Sequence, residues 1–210
     1  SKKCLEKEID LSVLDDSQYF YEIFNNLWLS NGGNFNGSVK TKNINELDAR
    51  LLKSHFSKSL SEIIRDINKF SLNLMARNLM LTVLAESKEY PVNESSINIY
   101  VKSWLVKNAI NSKGIIFENG AGLSRITQIS AKQLLHVMEK IYNDPMMPEV
   151  ISSFPIIGTD GTLKKRMRHS SARGNGHFKT GSLNNVNAIA GYFLNKDKGM
   201  KIFIFMMNDL

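Results

Sequence analysis

His177-Phe178-Lys179-Thr180-Gly181-Ser182-Leu183, running on into Asn184-Asn185-Val186-Asn187-Ala188-Ile189-Ala190-Gly191-Tyr192-Phe193, is the stretch whose reading decides the fold. A lysine, a hydroxyl and a glycine stand together at the head of a run with the pattern of paired strands. On a sheet edge such a tripeptide has a clear use. Free backbone N–H and C=O groups pair with an extended peptide, lysine and threonine hold a terminal carboxylate, and glycine keeps bulk away from the incoming chain. Three residues carry little weight alone, and the motif needs its context.

Working outward, two further strands are expected at Ile189–Leu194 and Met200–Met207, joined by the turn Asn195-Lys196-Asp197-Lys198-Gly199. Most of the remaining runs are helical. Phe20, Ile23, Phe24, Leu27 and Trp28 recur on one face between Ser17 and Ser30, and Asn31-Gly32-Gly33 closes that helix. Ser59-Leu60-Ser61-Glu62 has capping-box spacing ahead of Ile63, Ile64 and Ile67. An apolar helix follows to about Ala85, another spans Ser95–Lys107 with Ile97, Val101, Trp104 and Leu105 inward, and a third runs from Ser130 to Tyr142. Ala49–Phe56 and Gly114–Glu118 read as short strands, Gly158–Leu163 as a turn, and Pro145 and Pro148 as breaks. Helices followed by a terminal strand hairpin predict an α+β fold, an antiparallel sheet covered by helices, rather than alternating βαβ units.

Composition bounds the function. With 210 residues, 42% hydrophobic and 22% charged, the chain supports a globular domain with a real core. No apolar run reaches a membrane span, and the charged opening Ser1–Glu8 is no signal peptide. Cys4 is the one cysteine, so an internal disulfide is excluded. A net charge of +7 raises nucleic acid as a partner. The cations are scattered apart from Lys164-Lys165-Arg166-Met167-Arg168-His169, and no nucleic-acid motif accompanies them. A solvated basic face is the better reading, equally suited to an anionic polymer. No His/Cys cluster has zinc-ligand spacing, and His55, His136, His169 and His177 lack the neighbours of a Ser-His-Asp site, so no metal or cofactor is expected.

Ser71-Leu72-Asn73, at the junction of two helical stretches, is the second element to weigh. Read alone, Ser71 is a helix cap. Four motifs in order change that reading: Ile67–Arg77 with Ser71-Leu72-Asn73, Glu118-Asn119-Gly120-Ala121-Gly122-Leu123-Ser124-Arg125, Gly158-Thr159-Asp160-Gly161-Thr162-Leu163, and Lys179-Thr180-Gly181-Ser182-Leu183. Together they resemble the penicillin-binding protein 4 type of D-alanyl-D-alanine carboxypeptidase/endopeptidase. The resemblance implies a β-lactamase/transpeptidase-like fold. It also implies peptidoglycan peptides and β-lactams as partners, and a periplasmic location. Residues 46–210 would form the C-terminal part of that domain, and residues 1–45 a lead-in segment or part of an inserted domain. Ser71 would relay a proton, Asn73 would bind the substrate amide, and Lys179 would set the electrostatics of the cleft. Lys179 and Thr180 would bind the terminal carboxylate, Gly181 would keep bulk away from the bound substrate, and the Ser182 N–H would supply half of an oxyanion hole. Asn119 and Ala121 stand where the family often has Asp and Ser.

One part is absent. No serine in the chain has a lysine three positions on, so the Ser-x-x-Lys nucleophile and base are not here. The expectation is the C-terminal part of a serine D,D-peptidase whose nucleophile lies upstream, the chain alone being inactive. The alternative is a non-catalytic module that binds muropeptides in the retained cleft.

Overall fold

The computed structural model describes residues 14–42, 50–195 and 199–208. The chain divides into two compact units, residues 1–56 and 57–210. In the first, α1 (Asp16–Ser30) starts at Asp15, whose carboxylate accepts from the Gln18 N–H at 2.9 Å. Its aromatic stripe forms, with Phe24 and Trp28 stacked at 5.7 Å and Phe35 edge-on to Phe24 at 5.2 Å. No residue of α1 is fully buried. Of the lead-in segment expected over residues 1–45, residues 1–13 and 43–45 lie outside the described residues.

The second unit carries everything that builds the site. The helix α2 (Leu60–Phe70) opens on the expected capping box, with Ser59 and Glu62 satisfying each other's backbone donors. Ser71 ends it in the left-handed region (φ 58°, ψ 50°), and α3 (Asn73–Ser87) restarts two residues later. Next come α4 (Glu94–Lys107), α5 (Ala131–Tyr142) and α6 (Met147–Ser153). Ser130 and Gln133 form a second capping box at the head of α5. A 3-10 turn at Gly161–Leu163 then leads to the strands β1 (Gly176–Leu183), β2 (Val186–Asn195) and β3 (Gly199–Asn208). They form an antiparallel sheet in the order β1-β2-β3, with Lys179 opposite Ala190 and Tyr192 opposite Ile202.

Strand alternation sorts the sheet's two faces. Tyr192, Ala190, Ile202 and Ile204 pack with Met138 and Leu134 of α5, Ile151 and Phe154. The Tyr192 hydroxyl donates to the Met138 carbonyl at 2.7 Å, so the largest buried side chain brings its polar end to a partner. Burial pushes that phenol up to about 12. Gly191 lies opposite Phe178, where a Cβ would run into the His177 carbonyl and the Phe178 backbone. A second cluster, Leu105, Ile110 and Ile115, joins the end of α4 to the loop that follows.

Four expectations need correction. Residues 50–56 form no strand; a strand exists through its ladder partner, and these residues have none among the described residues. Gly114–Glu118 shrinks to one bridge, Ile116 to Gln128. The prolines at 145 and 148 do not merely interrupt: Pro148 sits in the first turn of α6, where its missing N–H costs nothing. Trp104 is exposed, because the packed row of α4 is Ile97, Val101 and Leu105.

Candidate active site

The turn at Ser71 and the strand β1 face each other across a cleft of about 480 Å³. Its walls are Ser71, Leu72, Asn73 and Ala76 on one side, Lys179 to Ser182 on another, and Gly120 to Leu123 on a third. All six residues singled out from the sequence (Ser71, Asn73, Lys179, Thr180, Gly181 and Ser182) lie on this one hollow. Its size and mixed lining fall within the range of small-molecule and peptide sites.

The central contact joins residues 108 positions apart. The Lys179 Nζ donates to the Ser71 Oγ at 2.9 Å, and also to the Thr180 carbonyl at 2.8 Å. Burial pushes the Lys179 ammonium below its ordinary value. The left-handed backbone at Ser71 makes this possible. A serine at positive φ carries a steric cost, and it is held there by what precedes it.

That support is a buried polar network under α2. Lys69, 4% exposed, donates to the Phe154 carbonyl and to the Asp160 Oδ2, both at 2.7 Å. The Asp160 Oδ1 accepts from the Ile156 N–H at 2.7 Å. Asn68 donates to Ser153 at 2.7 Å, and Ser153 to the Val150 carbonyl at 2.6 Å. Burial alone would push the Asp160 carboxyl up. The hydrogen bonds from Lys69 and Ile156, with the Lys69 charge, outweigh it and hold the group below its ordinary range. His177 sits beside the same pair. Its burial, then the Lys69 charge, hold its imidazole below the usual value, and its Nδ1 is buried without a partner. Gly161 (φ +53°) lies so close beneath α2 that a Cβ would meet the Lys69 carbonyl at 2.5 Å. The ion pair and the glycine thus fix the last turn of α2 two residues before Ser71.

The third wall is held by its own turns. The Asn119 Oδ1 accepts from the Ala121 N–H at 3.0 Å, a local turn that aspartate in the same place makes equally well. Asn73, with its amide nitrogen turned toward the carbonyls, donates to Ala121 at 3.1 Å and to Ser71 at 3.2 Å. Arg125 reaches the Asn184 carbonyl at 2.7 Å, tying this loop to the β1–β2 turn. Thr162 and Thr180 share a hydroxyl contact at 3.2 Å. Lys69, Asp160 and Thr162 were not singled out from the sequence. A lone acid in a Gly-rich turn was the signal for Asp160, and nothing local marked Lys69. Among the described residues no group of His, Cys, Asp and Glu is arranged to hold a metal ion.

An antiparallel sheet backed by helices, with the lysine of an edge strand meeting a Ser-x-Asn turn, is the architecture of a transpeptidase-like domain. The chain belongs to the D-Ala-D-Ala carboxypeptidase 3 (S13) family, whose model matches residues 1–210. It is 30% identical over 215 residues to the D-alanyl-D-alanine carboxypeptidase DacB of Haemophilus influenzae, covering 99% of this chain and 44% of that protein. The D-alanyl-D-alanine carboxypeptidase of an Actinomadura species is 29% identical over 150 residues, 69% of this chain and 28% of that one. The crystal structure of penicillin binding protein 4 from Haemophilus influenzae superposes with a TM-score of 0.80 at 29% identity, over 94% of this chain and 44% of that one. A second structure of it, in complex with a novel β-lactam, gives 0.78 at 28%, covering 94% and 46% of the two chains. The chain spans less than half the length of these relatives.

Proposed function

We propose that this chain supplies the substrate-holding half of a serine D-Ala-D-Ala carboxypeptidase/endopeptidase acting on peptidoglycan peptides through an acyl-enzyme. The observation that carries the reading is the 2.9 Å contact between Lys179 and Ser71. A half-buried ammonium on a serine hydroxyl lowers the cost of moving that hydroxyl's proton, which is what a relay between a catalytic base and a leaving amine requires. Asn73, held against Ala121, stands where it can orient the amide of the scissile bond. Lys179 and Thr180 meet the terminal carboxylate, and the Ser182 N–H on the edge strand polarises the carbonyl under attack. The nucleophile and its base come from a Ser-x-x-Lys upstream. The location is periplasmic, and β-lactams acylate the same serine.

The test is equilibrium binding of a peptide ending in D-Ala-D-Ala to the protein and to Lys179→Ala. The reading expects saturable binding that is lost, by at least about tenfold, in the variant and for the peptide ending in L-Ala-L-Ala. Equal binding of both peptides, or binding indifferent to Lys179, would refute it. The absence of Ser-x-x-Lys from these 210 residues favours one other reading, a muropeptide-binding module without catalysis. It shares the binding result and differs in giving no acyl-enzyme in a polypeptide of any length.

A further inference from the structure

The longest stretch without an acidic residue, 161–196, contains a loop that the cleft chemistry leaves unused. The loop leaves the body of the domain at Ile157 and returns at Gly174. Its neck is closed by Gly174 N–H to Ile157 O at 2.9 Å and Ile157 N–H to Gly176 O at 3.0 Å. Inside the neck the backbone folds on itself, Gly158 to Leu163, Arg166 to Leu163, Ser170 to Met167 and Arg173 to Ser170. Leu163, 1% exposed, is its buried foot. This is a compact excursion with pinned ends, not a slack connection.

Its outer surface is cationic. Lys164, Lys165, Arg166, Arg168 and Arg173 fall within ten residues, all exposed. None has a side-chain hydrogen bond or an ion pair among the described residues, whereas Lys58, Lys69 and Arg77 elsewhere each face a carboxylate. Crowding five like charges on a fastened loop is unfavourable and gains nothing within the chain. The loop also adjoins the cleft. Thr162, two residues before Lys164, touches Thr180 at 3.2 Å.

We propose that the 158–174 loop is a docking surface for a linear polyanion of carboxylate chemistry, held alongside the cleft while one of its peptide branches enters it. The surface itself follows from the loop. The choice of carboxylate rests on the reading of the cleft as a site for carboxylate-ended peptides. Each exposed contact is weak, and several on one rigid loop add to useful, salt-sensitive affinity that a short free peptide does not share.

The experiment is fluorescence anisotropy of labelled poly-L-glutamate titrated with the protein across a range of sodium chloride concentrations. The variant K164Q/K165Q/R166Q/R168Q is compared with K88Q/K107Q/K132Q/K140Q, which removes the same charge from exposed positions elsewhere. The proposal expects the loop variant to bind about tenfold more weakly with a shallower salt dependence, and the control to stay within about twofold of the parent. Equal loss in both variants, or no loss in either, would overturn it. So would binding to phosphatidylglycerol vesicles with none to poly-L-glutamate. Lys179→Ala separates the two readings: it removes D-Ala-D-Ala peptide binding if the cleft reading holds and leaves poly-L-glutamate binding unchanged if the loop reading holds.

Discussion

Asp160→Asn is the sharpest perturbation of the frame behind the cleft. Asparagine keeps the shape and can still accept from the Ile156 N–H, so the substitution removes chiefly one negative charge. What it strands is Lys69, whose side chain is 5% exposed and retains only the Phe154 carbonyl. Removing one partner of a buried pair costs about 3–5 kcal/mol. The Asp160 side chain is 34% exposed, so water reaches part of the site and the lower end applies, about 3 kcal/mol. With a urea m-value of about 2 kcal/mol/M this moves the unfolding midpoint down by about 1.5 M. Lys69→Met removes the cation instead and leaves a carboxylate that water can reach, at a cost of about 1 kcal/mol. The double variant should then lie near Lys69→Met, well short of the sum, with a coupling above about 1 kcal/mol. Urea melts of the four proteins decide it. A midpoint for Asp160→Asn within about 0.3 M of the parent, or strict additivity, would refute the claim that a buried charge pair fixes the end of α2.

Three further outcomes are expected. Gly161→Ala places a Cβ at φ +53° against the Lys69 carbonyl and should cost about 1–3 kcal/mol, lowering Tm by several degrees in a thermal melt. Tyr192→Phe removes the phenol hydrogen bond to the Met138 carbonyl, a loss of about 1 kcal/mol in the same melt with little change at the cleft. His177 has a depressed value in the folded state, so the unfolded chain binds its proton more readily. Stability should be unaffected by this residue above pH 6.5 and fall as pH drops below it, and His177→Gln should flatten that part of the pH–stability curve. Asp160 shifts downward too, so its contribution is present above its ordinary value and is lost only at lower pH, as pH falls through its depressed folded value.

The sequence was readable where a pattern is local. Capping signals at Ser59 and Ser130 announced α2 and α5, and two apolar runs either side of the turn at 195–199 announced the β2–β3 hairpin. The edge position of Lys179 was expected from the use such a tripeptide has on a sheet edge, whereas its partner Ala190 was not read from the sequence. The pairing of Ser71 with Lys179 came from the order of four motifs, since no local rule links residues that far apart. What stayed hidden was long-range. Lys69 is an ordinary surface residue by composition, and only its meeting with Asp160, 91 positions on, makes it part of the frame. The strand expected at 49–56 failed for the converse reason: residues 50–56 have no ladder to join among the described residues. At Asn119 the local turn still forms, because it needs only a side-chain oxygen.

The most direct test uses the polypeptide together with its upstream sequence. Labelled penicillin is added, the acylated residue is located by mass spectrometry, and the acylation rate is compared with those of Ser71→Ala and Lys179→Ala. The account predicts a label on a serine before residue 1 of this chain, in a Ser-x-x-Lys context, and at least about a hundredfold slower labelling in either variant. A label on a serine within these 210 residues, or rates untouched by both substitutions, would contradict it.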